Sequence, residues 1–526
     1  MKYIKIIAIV FSIVFLGACK KSFLDSNLLT SKTDQNAYNS TTDAWLALVG
    51  CYDGLQSVWN SVGYPVATEV MSDDCFGGTG ASDDYSYQMI DGFDKTIAPA
   101  IQNFYEGDWI AYYQAIFRCN TFLTKMNQIN WGNSGLRGRY EAETRFIRAY
   151  MYFDMVRLWG NIPLLTKPTS DYVPQANPDS VYKVIATDLK FACDSLSEVP
   201  YTSQPVSEHG RVTKWAAESL MARVFLYYTG YYGKTDLVGI VTKDQALAYL
   251  ENVISKSKLG LIDTFANLWP AASVKKYAGE DNKETVFAIK YTYTSDYNGN
   301  ADGNRWLVML GLREQSIFPY GNGWGACTVD PKLWNAYSST DTRKVASIIS
   351  IADENLAFTK QPNQREYTGY YVKKYTPMCD SAGKSLAVKL GGVDFQIGQY
   401  QDYVSIRYAD VLLMAAELGS ASAQAYFDAV RQRAYGTNFT QVAVSQSAIM
   451  NERRLEFAFE GIRYWDLLRQ GMTTTANAIN ETATVKNGGV DATVTITFNP
   501  TTKGLSQIPE NQITLSNGTL VQNPGW

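Results

Sequence analysis

The chain contains one histidine in 526 residues, and this scarcity excludes several kinds of site. A multi-histidine zinc centre is ruled out, because it needs several imidazole ligands around one ion. A Ser-His-Asp triad would have to use His209, which lies in a short polar stretch before a predicted helix. The Lys-Ser/Thr ending of a phosphate-binding P-loop is also missing after the glycine-rich stretch 321–325. We therefore predict no metal site and no cofactor, although the Asp and Asn clusters near Asp73 and Asp296 leave a structural calcium ion open.

Basic residues are not in excess, and they form no run. The formal net charge is -4, and removing residues 1–18, which carry Lys2 and Lys5, changes it to -6 (-4 - 2). Binding to nucleic acid rewards a surplus of lysine and arginine that faces the phosphates. The composition therefore argues against a nucleic-acid partner.

Long apolar runs are absent beyond the N-terminus. Lys2 and Lys5 precede the apolar stretch Ile6–Leu16, and Leu16-Gly17-Ala18-Cys19 ends it. The stretch is too short to span a bilayer and has the flanks of a secretory signal. A cysteine directly after small residues is typical of a bacterial lipobox, so we predict a signal peptide over residues 1–18 and acylation of Cys19. We expect the chain to meet the membrane only through this lipid anchor.

Cys-x-x-Cys spacing does not occur among the cysteines that follow Cys19, so neither a zinc ribbon nor a redox motif is present. Export permits disulfides, but the spacing does not pair these residues, and buried free thiols are the expected state. The six residues are Cys51, Cys75, Cys119, Cys193, Cys327 and Cys379.

Helical periodicity is the commonest pattern in the chain. Small residues such as Ala149, Ala216 and Ala416 lie on the predicted helix faces and allow helix axes to approach closely. We therefore predict a mainly α-helical frame over residues 40–260 and 400–475. The predicted helices are Thr42–Trp59, Asp108–Met126, Glu141–Trp159, Asp179–Leu196, Thr213–Tyr228, Lys243–Ser255, Tyr408–Arg433 and Ser445–Arg469.

The helical pattern is interrupted between about residues 260 and 400. Phe287, Ile289 and Tyr291 alternate as in a strand, and turn signals follow. A second irregular zone covers residues 71–93, and Asn487-Gly488 predicts a hairpin in the tail 476–526. We predict one domain over residues 19–526, in which a loop-rich insertion at 260–400 carries the binding residues.

The two irregular zones combine aromatic rings with carboxylates, as carbohydrate recognition requires, in a chain with 36 tyrosines and 12 tryptophans. Flat rings stack on sugar faces, and carboxylates accept hydrogen bonds from hydroxyl groups. Trp324 is the first candidate, because the glycines on either side leave the indole little local cover. The predicted glycan-binding residues are Trp324, Trp306, Tyr320, Tyr85, Asp73 and Asp74.

A C-terminal segment, residues 451–471, places charged residues beside an apolar helical stripe. Glu460 with Arg463, and Asp466 with Arg469, have the spacing of ion pairs on one helix. Arginine suits such a site, because its planar fork tolerates partial burial. Arginines beside carboxylates favour the ionised form, so we predict a structural and not a catalytic role. The predicted structural residues are Glu452, Arg453, Arg454, Glu456, Glu460, Arg463, Trp465 and Asp466.

This segment resembles the signature helix of the SusD/RagB family of outer-membrane nutrient-binding lipoproteins. Further matches occur in the family's order, at Ala142–Pro163, Gly210–Ala217, Arg407–Met414, Val430–Ala434 and the C-terminal stretch Ile508–Gly525. The resemblance implies a mainly α, tetratricopeptide-like array of about eight paired helices, each pair burying its apolar face on the next.

The resemblance also implies a function without catalysis. The chain would be lipid-anchored in the outer membrane, face the cell exterior, bind an oligo- or polysaccharide and pass it to a SusC-like TonB-dependent transporter. Three alternatives stay open: oligopeptide cargo, as in the RagB branch; a glycoside hydrolase with paired carboxylates; and a scaffold without a small ligand.

Overall fold

The computed structural model of the chain describes residues 37–60 and 63–526. The predicted signal peptide and Cys19 lie outside the described residues. Across the described ranges, we find no helix that combines the length and apolar character needed to cross a bilayer.

The first half of the described chain is an array of helices that pack on their neighbours. α1 packs on α4, α5 on α6 and α7 on α8. The long helices begin and end within about five residues of the predicted bounds. They are α1 (Thr41–Asn60), α4 (Glu106–Lys125), α5 (Leu136–Trp159), α6 (Pro178–Ser195), α7 (Lys214–Tyr232) and α8 (Lys243–Lys256). Two short helices that the sequence analysis did not predict, α2 (Tyr64–Val70) and α3 (Ser86–Asp91), lie between α1 and α4.

Local capping explains where several helices begin. The side chains of Asn177 and Thr213 accept hydrogen bonds from backbone N–H groups in the first turns of α6 and α7. Thr242 and Gln245 form a reciprocal capping box at the start of α8. Between α1 and α4, a Cβ on Gly54 would lie 2.8 Å from that of Ala115, so this close contact requires glycine.

The insertion contains short helices and short strands. Its helices are α9 (Trp306–Leu310), α10 (Pro331–Ala336), α11 (Arg343–Ser347) and α12 (Leu386–Lys389). Strands β1 (Cys75–Phe76), β2 (Ile162–Pro163) and β3 (Gln175–Ala176) precede it, and the predicted strand near Phe287 is β4 (Thr285–Ile289). The others are β5 (Leu312–Arg313), β6 (Asn322–Gly323), β7 (Thr328–Val329), β8 (Ile348–Ser350), β9 (Tyr370–Val372) and β10 (Tyr403–Arg407).

A four-stranded sheet of order β1-β7-β9-β8 joins the first irregular zone to the insertion. β1 is antiparallel to β7, with Cys75 opposite Val329 and Phe76 opposite Thr328. The sheet therefore brings together the two zones in which the sequence predicts binding residues.

Two of the predicted helices are each divided in the structure. Residues 408–433 form α13 (Tyr408–Glu417) and α14 (Ala423–Tyr435), and residues 445–469 form α15 (Gln446–Phe457) and α16 (Arg463–Leu468). The single helix predicted for 451–471 is therefore wrong. Phe459 and Gly461 have φ values of 65° and 71° in the break, a conformation that ends a right-handed helix.

The break changes one of the two predicted ion pairs. Glu460 turns into the interior, where its carboxylate lies 2.7 Å from Lys374 and 2.7 Å from Arg407 instead of pairing with Arg463. The pair between Asp466 and Arg469 forms as predicted, at 2.8 Å.

The C-terminal part adds α17 (Met472–Ile479), α18 (Glu510–Leu515) and the predicted hairpin, β11 (Glu481–Asn487) with β12 (Val490–Ile496).

Arg407 lies at the centre of a fully buried ion-pair network. Its guanidinium contacts Glu284 at 2.6 Å, Glu456 at 2.9 Å and Glu460 at 2.7 Å. Arg343 lies 3.0 Å from Glu456. Burial alone would raise the pKa of Glu456, but the neighbouring arginines lower it to about 2. The network links the frame, the insertion and the C-terminal segment.

The six cysteines that follow Cys19, all of them among the described residues, are buried and free. The expectation of buried thiols is confirmed.

Removing the central cation should destabilise the fold strongly. We expect Arg407→Ala to lower the free energy of unfolding by about 3–5 kcal/mol, because Glu284, Glu456 and Glu460 would lose a shared partner while buried. Urea denaturation measures the loss. In the exposed pair of Lys190 and Asp194, Lys190→Ala should cost at most about 1 kcal/mol. Equal losses in the two variants would contradict a stabilising network.

Glu69 should make stability fall as the pH rises. Burial raises its pKa from 4.5 to about 8, although the N–H of Gly461 donates to its carboxylate. Between pH 5 and 8 the unfolded chain loses a proton that the folded chain keeps, so unfolding becomes easier by up to about 1.4 kcal/mol per pH unit. Glu69→Gln removes this dependence, since an amide stays neutral in both states.

Urea denaturation at pH 5, 6.5 and 8 tests this effect. The unfolding free energy of Glu69→Gln should rise relative to the wild type as the pH increases. Glu198→Gln is the control, because ion pairing with Lys256 places the pKa of the exposed Glu198 below its usual range. Parallel curves for the wild type and Glu69→Gln would show that Glu69 is ionised in the folded chain.

Candidate functional site

A groove of about 480 Å³ opens where the first irregular zone meets the insertion. Its walls combine an indole, carboxylates, an amide and a guanidinium with apolar side chains. Such a mixture suits a ligand that has both flat apolar faces and hydroxyl groups. The lining residues are Thr79, Asp83, Asp84, Ser86, Tyr87, Met309, Arg313, Glu314, Asn322, Gly323, Trp324, Ala326 and Phe395.

Trp324 is half-buried in this groove on a tightly held piece of backbone. The backbone N–H of Trp324 donates to the carbonyl oxygen of Val308 at 2.8 Å. The backbone carbonyl of Trp324 accepts a hydrogen bond from Arg313 Nη1 at 3.2 Å. A Cβ on Gly323 would lie 2.4 Å from Gly311 Cα, so glycine is needed there for close backbone contact. The indole is therefore presented by a rigid support.

Two polar atoms of the groove residues have no hydrogen-bond partner among the described residues. They are the carbonyl Oδ1 of Asn322 and the Nε of Arg313. Burying such an atom without a partner costs about 1–3 kcal/mol. Both atoms have almost no exposed surface, so the groups that face a ligand are the exposed ones at the rim of the groove.

Two exposed carboxylates of the groove, those of Asp83 and Asp84, lie on a loop that Arg365 holds. Arg365 donates to the carbonyl of Asp84 at 2.7 Å and to that of Asp83 at 2.5 Å, and its guanidinium lies 3.7 Å from the centre of the Tyr85 ring. Asp83 and Glu314 flank Arg313, at 3.6 and 3.0 Å. The rim is thus an ordered set of acceptors.

Of the six predicted ligand contacts, the structure places only Trp324 among the residues that line the groove. Tyr85 is 50% exposed and lies between two lining residues, Asp84 and Ser86, without lining the groove itself. Trp306 and Tyr320 are each only 3% exposed. Trp306 packs against Tyr375 and Tyr403, and the hydroxyl of Tyr320 donates to Glu354. This corrects the expectation that both rings face a ligand.

Asp73 and Asp74 are also buried, because the signature arginines bind them. Arg463 Nε lies 2.7 Å from Asp73, and Arg454 Nε lies 2.7 Å from Asp74. Burial alone would raise the pKa of Asp73, but hydrogen bonds from Arg463 lower it. These two carboxylates tie the first irregular zone to the frame, which corrects their predicted role as ligand contacts.

Several groove residues were absent from the prediction. Asp83 and Asp84 directly precede Tyr85, and Asn322 lies in the glycine-rich stretch around Trp324, so their positions in the sequence give a weak signal. Arg313, Glu314 and Phe395 have no local pattern that marks them. In the described part of the chain, no group of three or more His, Cys, Asp or Glu residues is arranged to hold a metal ion.

Two family models match the chain. The model described as "SusD family" matches residues 283–526, and the one described as "Starch-binding associating with outer membrane" matches residues 52–226. A SusD-like protein of Bacteroides ovatus is 24% identical over 486 residues, which cover 88% of this chain and 82% of that protein.

Solved structures share the fold over nearly the whole chain. A laminarin-binding SusD-like protein is 28% identical with a TM-score of 0.73, and the match covers 93% of this chain and all of the other. Surface glycan-binding protein A from Bacteroides thetaiotaomicron, solved with laminarihexaose, is 24% identical with a TM-score of 0.74 at the same coverage. The predicted mainly α, tetratricopeptide-like fold is confirmed, and the chain belongs to the SusD family.

Proposed function

We propose that this chain is a non-catalytic surface lipoprotein that binds a neutral oligo- or polysaccharide in the Trp324 groove. The observation that carries the proposal is the arrangement of that groove. A rigidly held indole lines the same groove as the side chain of Asn322 and an ordered rim of carboxylates. Sugar rings present an apolar face to such an indole and hydroxyl groups to such acceptors.

The relatives support a saccharide as the ligand class. One similar structure is described as laminarin-binding, and another contains laminarihexaose. A peptide would be expected to use an exposed strand edge or a set of side-chain pockets. The groove offers an indole face and side-chain acceptors instead, so we place oligopeptide cargo second.

Delivery to a SusC-like TonB-dependent transporter completes the proposed role. The predicted lipobox at Cys19 would hold the chain on the outer membrane, and one of the matching family models is described as associating with that membrane. A chain that binds glycan there without cutting it would act as a capture module for the transporter.

Loss of the Trp324 ring should weaken glycan binding. We expect Trp324→Ala to raise Kd at least about fivefold, because a stacked ring contributes on the order of 1 kcal/mol. Asn322→Ala should also weaken binding, since Asn322 lines the groove and its side-chain amide can form a hydrogen bond with a hydroxyl group. Isothermal titration with laminarihexaose, xylogluco-oligosaccharides and starch oligosaccharides measures both.

Trp334→Ala is the matched control, because this half-buried ring stacks on Tyr370 at 5.0 Å outside the groove. Its Kd should equal that of the wild type. Binding that is unchanged in both Trp324→Ala and Asn322→Ala would remove the groove as the site. Binding of an oligopeptide pool and of no glycan would favour the second candidate.

The purified chain should not cut the glycan that it binds. We expect no increase in reducing ends after prolonged incubation with a bound oligosaccharide, measured against a glycoside hydrolase as positive control. A glycoside hydrolase needs a pair of carboxyl groups, and Asp83 and Glu314, which flank Arg313, are a pair that lines this groove. Release of reducing sugar that disappears in Asp83→Asn or Glu314→Gln would establish hydrolysis.

A further inference from the structure

A second cleft, of about 400 Å³, lies between α1, the loop 207–211 and β4. It shares no lining residue with the Trp324 groove. Its apolar wall includes Trp45 and Val49, which are 40% and 42% exposed, and the buried Phe287. An indole that is partly exposed at the wall of a cleft offers a flat face on which a ligand can stack.

Contacts within the protein hold the Trp45 indole in place in the ligand-free chain. The Arg211 guanidinium lies 5.1 Å from the centre of the Trp45 ring. Arg211 is itself held by Glu143 at 2.5 Å, and Tyr52 donates to the same carboxylate at 2.7 Å. A ring that is already ordered loses little side-chain entropy when a ligand stacks on it.

Polar groups surround this ring at the mouth of the cleft. Asp53 and Lys290 have side chains that are 47% and 37% exposed, and Ser207 is exposed. The side-chain Nε2 of Gln56 donates to the backbone carbonyl of Lys290 at 2.6 Å. The side-chain oxygen of Gln56 is a further acceptor near the cleft. The cleft therefore offers hydroxyl, carboxylate, amide and ammonium groups around one indole.

Three of the four Asp, Arg and Lys side chains that line the cleft already form an ion pair within the protein, and Asp302 is the fourth. Lys290 lies 2.9 Å from Asp281 and also contacts Asp402, Asp53 contacts Arg118, and Arg211 contacts Glu143. An anionic ligand would have to displace one of these partners and would also meet the carboxylate of Asp302. A neutral ligand rich in hydroxyl groups would add hydrogen bonds without breaking an ion pair.

We propose that the Trp45 cleft is a second binding site for neutral oligosaccharide, separate from the Trp324 groove. The assignment of the ligand class rests on the proposed function of the chain. Two sites on one chain would let a long polysaccharide contact the protein at two points, which increases apparent affinity when one glycan reaches both.

Fluorine NMR on the full soluble chain labelled with 5-fluorotryptophan tests the proposal. The Trp45 and Trp324 signals are assigned with Trp45→Phe and Trp324→Phe, and Trp334 serves as the internal reference. Laminarihexaose, xylogluco-oligosaccharides and starch oligosaccharides are titrated in turn. We expect the Trp45 signal to shift saturably with a glycan, and to do so equally in the Trp324→Ala variant.

The outcomes separate the two proposals. A Trp324 response without a Trp45 response overturns the second site and leaves the first. A Trp45 response without a Trp324 response supports the cleft and overturns the Trp324 groove. A Trp45 shift that vanishes in Trp324→Ala overturns an independent second site, and silence of both signals across the panel overturns both proposals.

Discussion

The structure depends on charged side chains buried together where the helical frame, the insertion and the C-terminal segment meet. Arg407 comes from β10 in the frame, Arg343 from the insertion and Glu456 from the C-terminal α15, and all three are at most 2% exposed. Moving such ions out of water is costly, and their mutual attraction offsets the cost only when the geometry is good. A misplaced segment would leave an unpaired buried charge, so the network favours one arrangement of the three parts.

The same charged segment positions the proposed glycan groove. Arg463 and Arg454 bind Asp73 and Asp74, the two residues immediately before β1. β1 pairs with β7, which begins four residues after Trp324. The groove is therefore attached to the most buried part of the molecule through two ion pairs and one strand pairing, which explains how loops can present an ordered site.

The sequence predicts the helices well, because their apolar faces repeat along the chain and their caps are local. It does not predict the break after α15. There Phe459 has a positive φ, which this residue type rarely adopts, and Glu460 contacts Lys374 and Arg407 from distant parts of the chain. A contact between residues 86 positions apart leaves no periodic signal.

The candidate site shows a similar limit. Trp306 and Trp324 are the same residue type in the same insertion, yet Trp306 packs into an aromatic cluster with Tyr375 and Tyr403 while Trp324 reaches the groove. Asp74 and Asp84 are the same residue type in the same irregular zone. In the structure, Asp74 is buried and paired with Arg454, whereas Asp84 lines the groove. Whether each of these side chains is buried depends on contacts with residues far away in the sequence, and composition and spacing do not predict such contacts.

Hydrogen–deuterium exchange with and without a bound oligosaccharide tests most directly whether a rigid, ion-paired frame presents a preformed groove. Slow exchange is expected for residues 446–468 in both states, because their carboxylates and arginines are buried and paired. Added protection is expected at residues 79–87 and 311–326. Fast exchange of residues 446–468 in the free chain, or ligand protection that leaves both groove segments unchanged, would contradict the account.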